Sequence, residues 1–118
     1  MSRLAERTTA AVALLAALRT AGMWPPLVPT PVLIEALRGD AAKDASINRL
    51  LKTCDVLEII PEPVARRAAG LRTKTRRGSA VDALVVALAE PGGSVLTSDA
   101  GDLTALATNA RDVHIVRV

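Results

Sequence analysis

Apolar residues in this chain form short, nearly unbroken runs, and longer stretches with helical spacing separate them. The runs LVPT (27–30), VLEII (56–60), SVLTS (94–98) and VHIVRV (113–118) are rich in Val, Ile and Leu. Strands that are covered on both faces of a parallel sheet show such continuous apolar runs instead of alternation. The pattern therefore predicts four buried strands.

Between these strands, apolar residues recur at the spacing of one helix face, as Ile47, Leu50 and Leu51 do. Strands that alternate with helices indicate an α/β fold with a parallel sheet. We find no repeat and no linker, so residues 1–118 are expected to form one domain. The predicted helices cover residues 3–21, 31–39, 40–55, 64–74, 81–89 and 102–107.

The first of these helices has an alternative interpretation as a secretory signal. Arg3 and Arg7 precede the apolar run 10–18, whose length suits the core of a signal peptide. Glu6 lies in the segment that should be basic, and the same residues fit an ordinary helix rich in Ala and Leu, which we favour. No apolar run approaches the roughly 20 residues of a membrane-spanning helix. We therefore expect no contact with a membrane.

Composition narrows the classes of function. Half of the residues are apolar, yet there is one Trp and no Phe or Tyr, so Ala, Leu and Val must fill the core. The lack of aromatic residues argues against base stacking of the kind that RRM and OB modules use. The single Cys54 excludes an internal disulfide or a multi-cysteine zinc site and fits a cytoplasmic protein. The formal charge of +3 permits a polyanionic partner.

Several carboxylates follow the predicted strands or begin the predicted helices, where a ligand-binding or catalytic site is expected. Asp99 comes after the strand 94–98, and Asp102 lies in the first turn of the next helix. Asp82 begins the apolar helix 81–89, and Glu35 lies on the helix after the first strand. Ligands of open α/β sheets gather at the carboxyl ends of the strands. Asp82 and Asp99 are therefore candidates for one shared site, with Glu35 on the same side of the sheet.

Each of these carboxylates also has a purely structural interpretation. Ser79 and Asp82 fit a variant of the capping box, and Asp99 fits an N-cap with Asp102 in the first turn behind it. Glu35 fits the solvent-facing side of an amphipathic helix. A carboxylate can cap a helix and bind a ligand, so both interpretations stay open at this point.

Basic residues cluster just before Asp82. Such a cluster could bind RNA phosphates beside the acidic residues, or it could be a solvated helix face and loop. We predict RNA contacts for the four basic residues nearest to Asp82. The cluster consists of Arg66, Arg67, Arg72, Lys74, Arg76 and Arg77, and the four are Arg72, Lys74, Arg76 and Arg77.

Five segments, in this order, resemble the PIN-domain ribonucleases, in particular the VapC-like toxins of bacterial toxin–antitoxin pairs: VPTPVLIEALRG, NRLLKTCDVLEI, ARRAAGLR, SAVDALVVALA and VLTSDAGDL. The resemblance implies a three-layer PIN-like fold and a metal-dependent endoribonuclease that uses Mg²⁺ or Mn²⁺. By position, Glu35, Asp82 and Asp99 match the family's catalytic metal ligands. Ser98 matches a hydroxyl residue near the metal, and Asp102 a further acidic ligand. The implied partners are RNA and a cognate antitoxin protein, and we expect a homodimer.

The chain departs from this family at its beginning. Family members open with a central strand that ends in an aspartate, often within LDxxAL, whereas MSRLAERTTAAV resembles the residues that follow that motif. A start site assigned too far downstream, an impaired and shortened paralogue, or a deliberately shortened chain would each explain this, and we favour the first. Without the central strand, the strands 27–30 and 94–98 would pair directly or leave a gap.

Two other functions stay open. One is a catalytically impaired PIN relic that acts as an antitoxin-binding or dimerising module, with the apolar first helix as its interface. A receiver-like phosphoacceptor fold is the weaker third possibility.

Overall fold

One sheet organises the part of the chain that the computed structural model describes, residues 14–15, 26–97 and 99–117. Five strands form this sheet within the described residues, and five helices accompany them. The strands are β1 (Leu14–Leu15), β2 (Leu27–Pro29), β3 (Asp55–Leu57), β4 (Ser94–Thr97) and β5 (His114–Arg117). The helices are α1 (Thr30–Ala36), α2 (Ala45–Leu51), α3 (Glu62–Thr75), α4 (Ala80–Ala89) and α5 (Gly101–Thr108).

The strand order is β3-β2-β1-β4-β5. β2 pairs with β3 and β4 pairs with β5 in parallel, while β1 lies antiparallel to both β2 and β4. Since β2 and β4 both run opposite to β1, all four predicted strands point in the same direction. The α/β class is confirmed. The expectation of a purely parallel sheet of four strands is wrong, because a fifth, antiparallel strand lies at the centre.

The central strand corrects the prediction of a helix over residues 3–21. Leu14 pairs with Leu96, and Leu15 pairs with both Leu27 and Val95, so these two residues are in a strand. The remainder of the predicted helix lies outside the described residues. A short run of Ala and Leu fits either element, and the unpaired backbone groups of β2 and β4 decide the outcome here. Neither direct pairing of β2 with β4 nor a gap between them occurs, because β1 pairs with both strands.

The predicted helix over residues 40–55 is shorter than expected. It spans only α2, because the Asp44 carboxylate closes a turn ahead of it, and Asp55 already belongs to β3. Buried Asp44 accepts backbone hydrogen bonds of 2.9–3.1 Å, which lower the pKa of its carboxyl group. Aspartate competes for backbone N–H groups in this way and favours turns over helix interiors. The donors are Arg38, Gly39 and Asp40.

Helix α4 forms the centre of the core, as its apolar sequence predicts. Val85, Val86 and Ala89 are completely buried there. Leu71 of α3 and Leu106 of α5 are also completely buried in the same cluster. Small aliphatic residues therefore fill the core without aromatic ones. Among the described helices, none combines the length and the apolar character needed to cross a membrane.

A carboxylate ties the end of α4 to its neighbours. Arg67 of α3 donates hydrogen bonds of 2.8 Å to both carboxylate oxygens of Glu90, and the Arg111 backbone N–H donates to Glu90 Oε2 at 2.7 Å. The Glu90 side chain is only 8% exposed. The hydrogen bonds from Arg67 are the main cause that lowers the pKa of Glu90. The ion pair joins α3 to the end of α4, and the hydrogen bond from Arg111 adds the segment that leads into β5.

Replacing this carboxylate should reveal its contribution to stability. We expect Glu90→Gln to lower the free energy of unfolding by about 1–3 kcal/mol, since charged hydrogen bonds in a buried place are lost. The pKa of Glu90 lies below its ordinary 4.5 in the folded chain, so the stabilisation is present above that pH. It should disappear as the pH falls through the lowered pKa.

Urea unfolding at several pH values measures this effect. Glu62→Gln is the matched control, because Glu62 pairs with Arg66 on the surface and its side chain is 73% exposed. The control should cost less than about 1 kcal/mol. Equal losses for the two variants would contradict the structural role of Glu90.

Two glycines give opposite expectations for an added methyl group. A Cβ on Gly93 would collide with the Ala89 carbonyl oxygen, to which the Gly93 N–H donates at 2.8 Å. Gly70 lies within α3, and a Cβ there would meet no atom within 4 Å. Thermal unfolding should show that Gly93→Ala costs about 1–3 kcal/mol and that Gly70→Ala gains about 0.5–1 kcal/mol. A neutral effect at Gly93 would show that this turn relaxes freely.

Candidate functional site

The four predicted carboxylates line one cleft of about 280 Å³. Glu35 comes from α1, which follows β2, and Asp99 follows β4 directly. Asp82 lies in the first turn of α4, and Asp102 lies in the first turn of α5. Apolar side chains line the same cleft. These are Val32, Val81 and Leu103.

Sheet topology explains why these residues meet. Because β2 and β4 both lie antiparallel to β1, their carboxyl ends face the same edge of the sheet. β2 and β3 lie on one side of β1 in the sheet, whereas β4 and β5 lie on its other side. The cleft therefore lies where the strand order changes direction, the position at which open α/β sheets bind ligands.

The predicted capping box at Asp82 is confirmed. Asp82 Oδ2 accepts a hydrogen bond of 3.1 Å from the Ser79 backbone N–H, and Ser79 Oγ accepts one of 3.1 Å from the Asp82 N–H. The half-buried Asp82 carboxylate is thus held in a fixed place at the start of α4 while it lines the cleft. The Asp82 side chain therefore caps α4 and also lines the cleft.

The predicted N-cap role of Asp99 is wrong. Helix α5 begins at Gly101, and its N-cap is Ala100, with no side-chain cap. The main chain of Asp99 is held instead by Thr97, whose hydroxyl accepts from the Asp99 N–H at 3.1 Å and donates to the Asp99 carbonyl oxygen at 3.2 Å. The turn therefore positions the exposed Asp99 side chain without using it as a cap.

Sequence reasoning missed Thr97. Its side chain is buried, lines the cleft and holds the turn that carries Asp99. A hydroxyl residue two positions before an aspartate at the end of a strand was the available signal, because Ser and Thr hydroxyls close such turns. Ser98, which the PIN resemblance places near a metal, lies outside the described residues.

Glu35 and Asp82 interact electrostatically in the cleft. Partial burial of Glu35 is the main cause that raises its pKa, and the negative charge of Asp82 raises it further. The Glu35 side chain is nevertheless largely exposed. The solvent-facing interpretation of Glu35 is therefore confirmed, and its role in a functional site stays a prediction.

One basic residue enters the cleft. Arg77 Nε donates a hydrogen bond of 3.1 Å to Asp102 Oδ1. Arg77 Nη2 lies 3.0 Å from the same oxygen. Arg72 donates to the Gly78 carbonyl oxygen at 3.4 Å and lines a different, apolar cavity. Lys74 and Arg76 are exposed. Of the four basic residues predicted to contact RNA, all of them described, Arg77 alone lines the acidic cleft. RNA contacts of all four stay predictions.

The chemical type of the side chains in the cleft suits a hard divalent cation. All four acidic side chains of the cleft offer carboxylate oxygens, which are the ligands that Mg²⁺ and Mn²⁺ prefer. Their positions are not those of a closed ligand set: within the described residues, no three His, Cys, Asp or Glu side chains are placed to hold one metal ion. Their roles as catalytic metal ligands therefore stay predictions.

Comparisons with known proteins return no match among family models, curated proteins or solved structures. The PIN-like fold and the VapC-like relationship thus rest on the resemblance of residues and segments described above. The α/β topology and the acidic cleft are the structural facts that any functional proposal must accommodate.

The electrostatic contact in the cleft can be measured directly. Asp82→Asn should lower the pKa of Glu35 part of the way towards its ordinary 4.5, because a nearby negative charge is removed while the partial burial remains. Asparagine can still accept the hydrogen bond from Ser79, so α4 should stay capped. A carbon-13 NMR titration of the Glu35 carboxyl group checks this. Asp112→Asn, an exposed change outside the cleft, should leave the Glu35 pKa unchanged.

Proposed function

We propose that the chain is a cytoplasmic, metal-dependent endoribonuclease, the toxin of a toxin–antitoxin pair, with a PIN-like three-layer fold. The observation that carries this proposal is the gathering of Glu35, Asp82, Asp99 and Asp102 in one cleft at the switch point of the sheet. The resemblance of five ordered segments to PIN-domain ribonucleases supports the same conclusion. Its partners would be RNA, an antitoxin protein and a second copy of the chain.

The chemistry of phosphodiester hydrolysis suits such a cleft. A Mg²⁺ or Mn²⁺ ion bound there would supply an activated water and relieve the charge on the phosphate oxygens. Glu35, Asp82 and Asp99 would hold the ion, with Asp102 beside them. The Thr97 hydroxyl fixes the turn of Asp99 and so limits the positions that its carboxylate can take. The guanidinium group of Arg77, which also lines the cleft, suits contact with a phosphate.

A second function is favoured by a different observation. Leu14–Leu15 occupy the centre of the sheet, antiparallel to β2 and β4, where the resemblance places a strand that ends in an aspartate. A largely apolar cavity of about 340 Å³ is lined by residues of α3 and α4 together with Pro31 and Ile60. A catalytically impaired PIN relic that binds an antitoxin or dimerises through such a surface is the alternative.

RNA cleavage with Mg²⁺ or Mn²⁺ distinguishes the two functions. The chain of 118 residues and a version extended upstream to the next in-frame start are assayed side by side. We expect cleavage by the extended version, inhibited by a chelator. Asp99→Asn in that version should lower the rate by about 10- to 100-fold, because the negative charge of a ligand of the ion is lost.

Asp112→Asn is the matched control, since Asp112 is an exposed aspartate that pairs with His114 away from the cleft. Its cleavage rate should equal that of the parent. Full activity of the Asp99 variant would refute the assignment of the site. If neither version cleaves and both bind a small antitoxin-like protein, the binding module is the correct function.

A further inference from the structure

A surface outside the acidic cleft combines a cavity with exposed apolar side chains. The cavity of about 340 Å³ between α3 and α4 opens to solvent, because Ala65, Ala69 and Arg72 in its lining are exposed. Ile60 also lines it, and the neighbouring Ile59 is 79% exposed. Contiguous apolar surface of this kind marks interaction sites, whereas single scattered apolar residues do not.

Helix α1 extends this apolar surface. Pro31 lines the cavity, and Ile34 lies three residues later on the same face of α1. The Ile34 side chain is 81% exposed. Removing such side chains from water is favourable, so a partner that covers them gains free energy. We call these residues, together with Ile59, Ile60 and the exposed face of α3, the α3 surface.

The exposed face of α3 carries opposite charges at its two ends. Glu62, Ala65, Ala69 and Arg72 follow one another at intervals of three, four and three residues, which places them on one side of the helix. The acidic residue lies at the beginning of the helix and the basic residue near its end. Two alanines separate them.

Both charged residues are available to a partner. Glu62 pairs with Arg66 at 2.7 Å on the surface, where the two side chains are 73% and 79% exposed. Arg72 donates a hydrogen bond of 3.4 Å to the Gly78 carbonyl oxygen, which is long for such a bond. Exposed polar contacts of this kind contribute little to stability, so they do not hold either side chain firmly.

This face is complementary to itself in the antiparallel orientation. Glu62 and Arg72 lie equally far from the middle of the face, and so do Ala65 and Ala69. When two such helices pack about a two-fold axis, Glu62 lies opposite the partner subunit's Arg72, and Ala65 opposite the partner subunit's Ala69. The alanines let the helix axes approach closely, and the opposite charges set the register.

We propose that the α3 surface is the interface of a two-fold symmetric dimer, in which α3 of one chain packs antiparallel against α3 of a second copy. The dimer covers the cavity and the exposed Ile34 and Ile59 beside it. This inference rests on the second copy that the proposed function names, and it deepens that proposal by assigning the surface that the copy contacts.

Sedimentation velocity of the whole chain over a wide range of protein concentrations tests this interface by charge reversal. Glu62→Arg and Arg72→Glu should each raise the dissociation constant of the dimer about tenfold, because two attractive pairs per dimer become repulsive. The variant with both changes should recover the affinity of the parent, since the pairs form again with exchanged charges. Arg117→Glu, an exposed change on β5 outside the cavity, is the matched control and should leave the affinity unchanged. Circular dichroism verifies that all variants are folded.

Crosslinking tests the register without reversing a charge. Ala65→Cys and Ala69→Cys are made in separate chains that also carry Cys54→Ser, so that each chain holds a single thiol. On mild oxidation, the mixture of the two chains should form a disulfide-linked dimer faster than either chain alone, because the two positions face each other across the axis.

The outcomes separate the inference from the proposed function. If the parent dimerises and the charge reversals bind as tightly as the control, the interface lies elsewhere, so the inference is refuted and the second copy stands as a partner. If the double variant is as weak as the single ones, the antiparallel register is wrong and the inference fails. If the chain stays monomeric at every concentration, the inference and the second copy both fail, whereas the ribonuclease is judged by RNA cleavage alone.

Discussion

The antiparallel pairing of β1 between β2 and β4 is the constraint on which the rest of the structure depends. It joins two parallel pairs of strands into one sheet and makes β2 and β4 point in the same direction. Their carboxyl ends then share an edge, and the residues that follow them line one cleft. Without a strand in this place, backbone groups at the centre of the sheet would lack partners, which costs free energy comparable to lost hydrogen bonds.

Concentrating negative charge in that cleft has a cost, and the chain offsets it locally. The raised pKa of Glu35 shows that partial burial and Asp82 disfavour its charged form. Arg77, which also lines the cleft, contacts Asp102, so a positive group of the chain itself lies beside the acidic residues. Carboxylates clustered in this way are a common feature of sites that bind cations, because the repulsion is relieved when the cation enters.

The rest of the fold keeps the walls of the cleft in place with small side chains. Val85 and Val86 of α4 are completely buried, and the buried carboxylate of Glu90 joins the end of that helix to Arg67. The start of the same helix is closed by the capping box of Asp82. One helix thus connects the core to the cleft, with a polar anchor at each end.

The sequence by itself determined the α/β class, the direction of four strands and the edge at which the carboxylates gather, because these follow from local hydrophobic spacing and from the chain order of the elements. Tertiary structure alone decided three other features. Leu14–Leu15 became a strand because two separated strands needed a partner. Asp99 is not a cap because Thr97 holds its turn. Arg77 meets Asp102, 25 residues further along the chain, and such contacts between distant residues leave no periodic signal in a sequence.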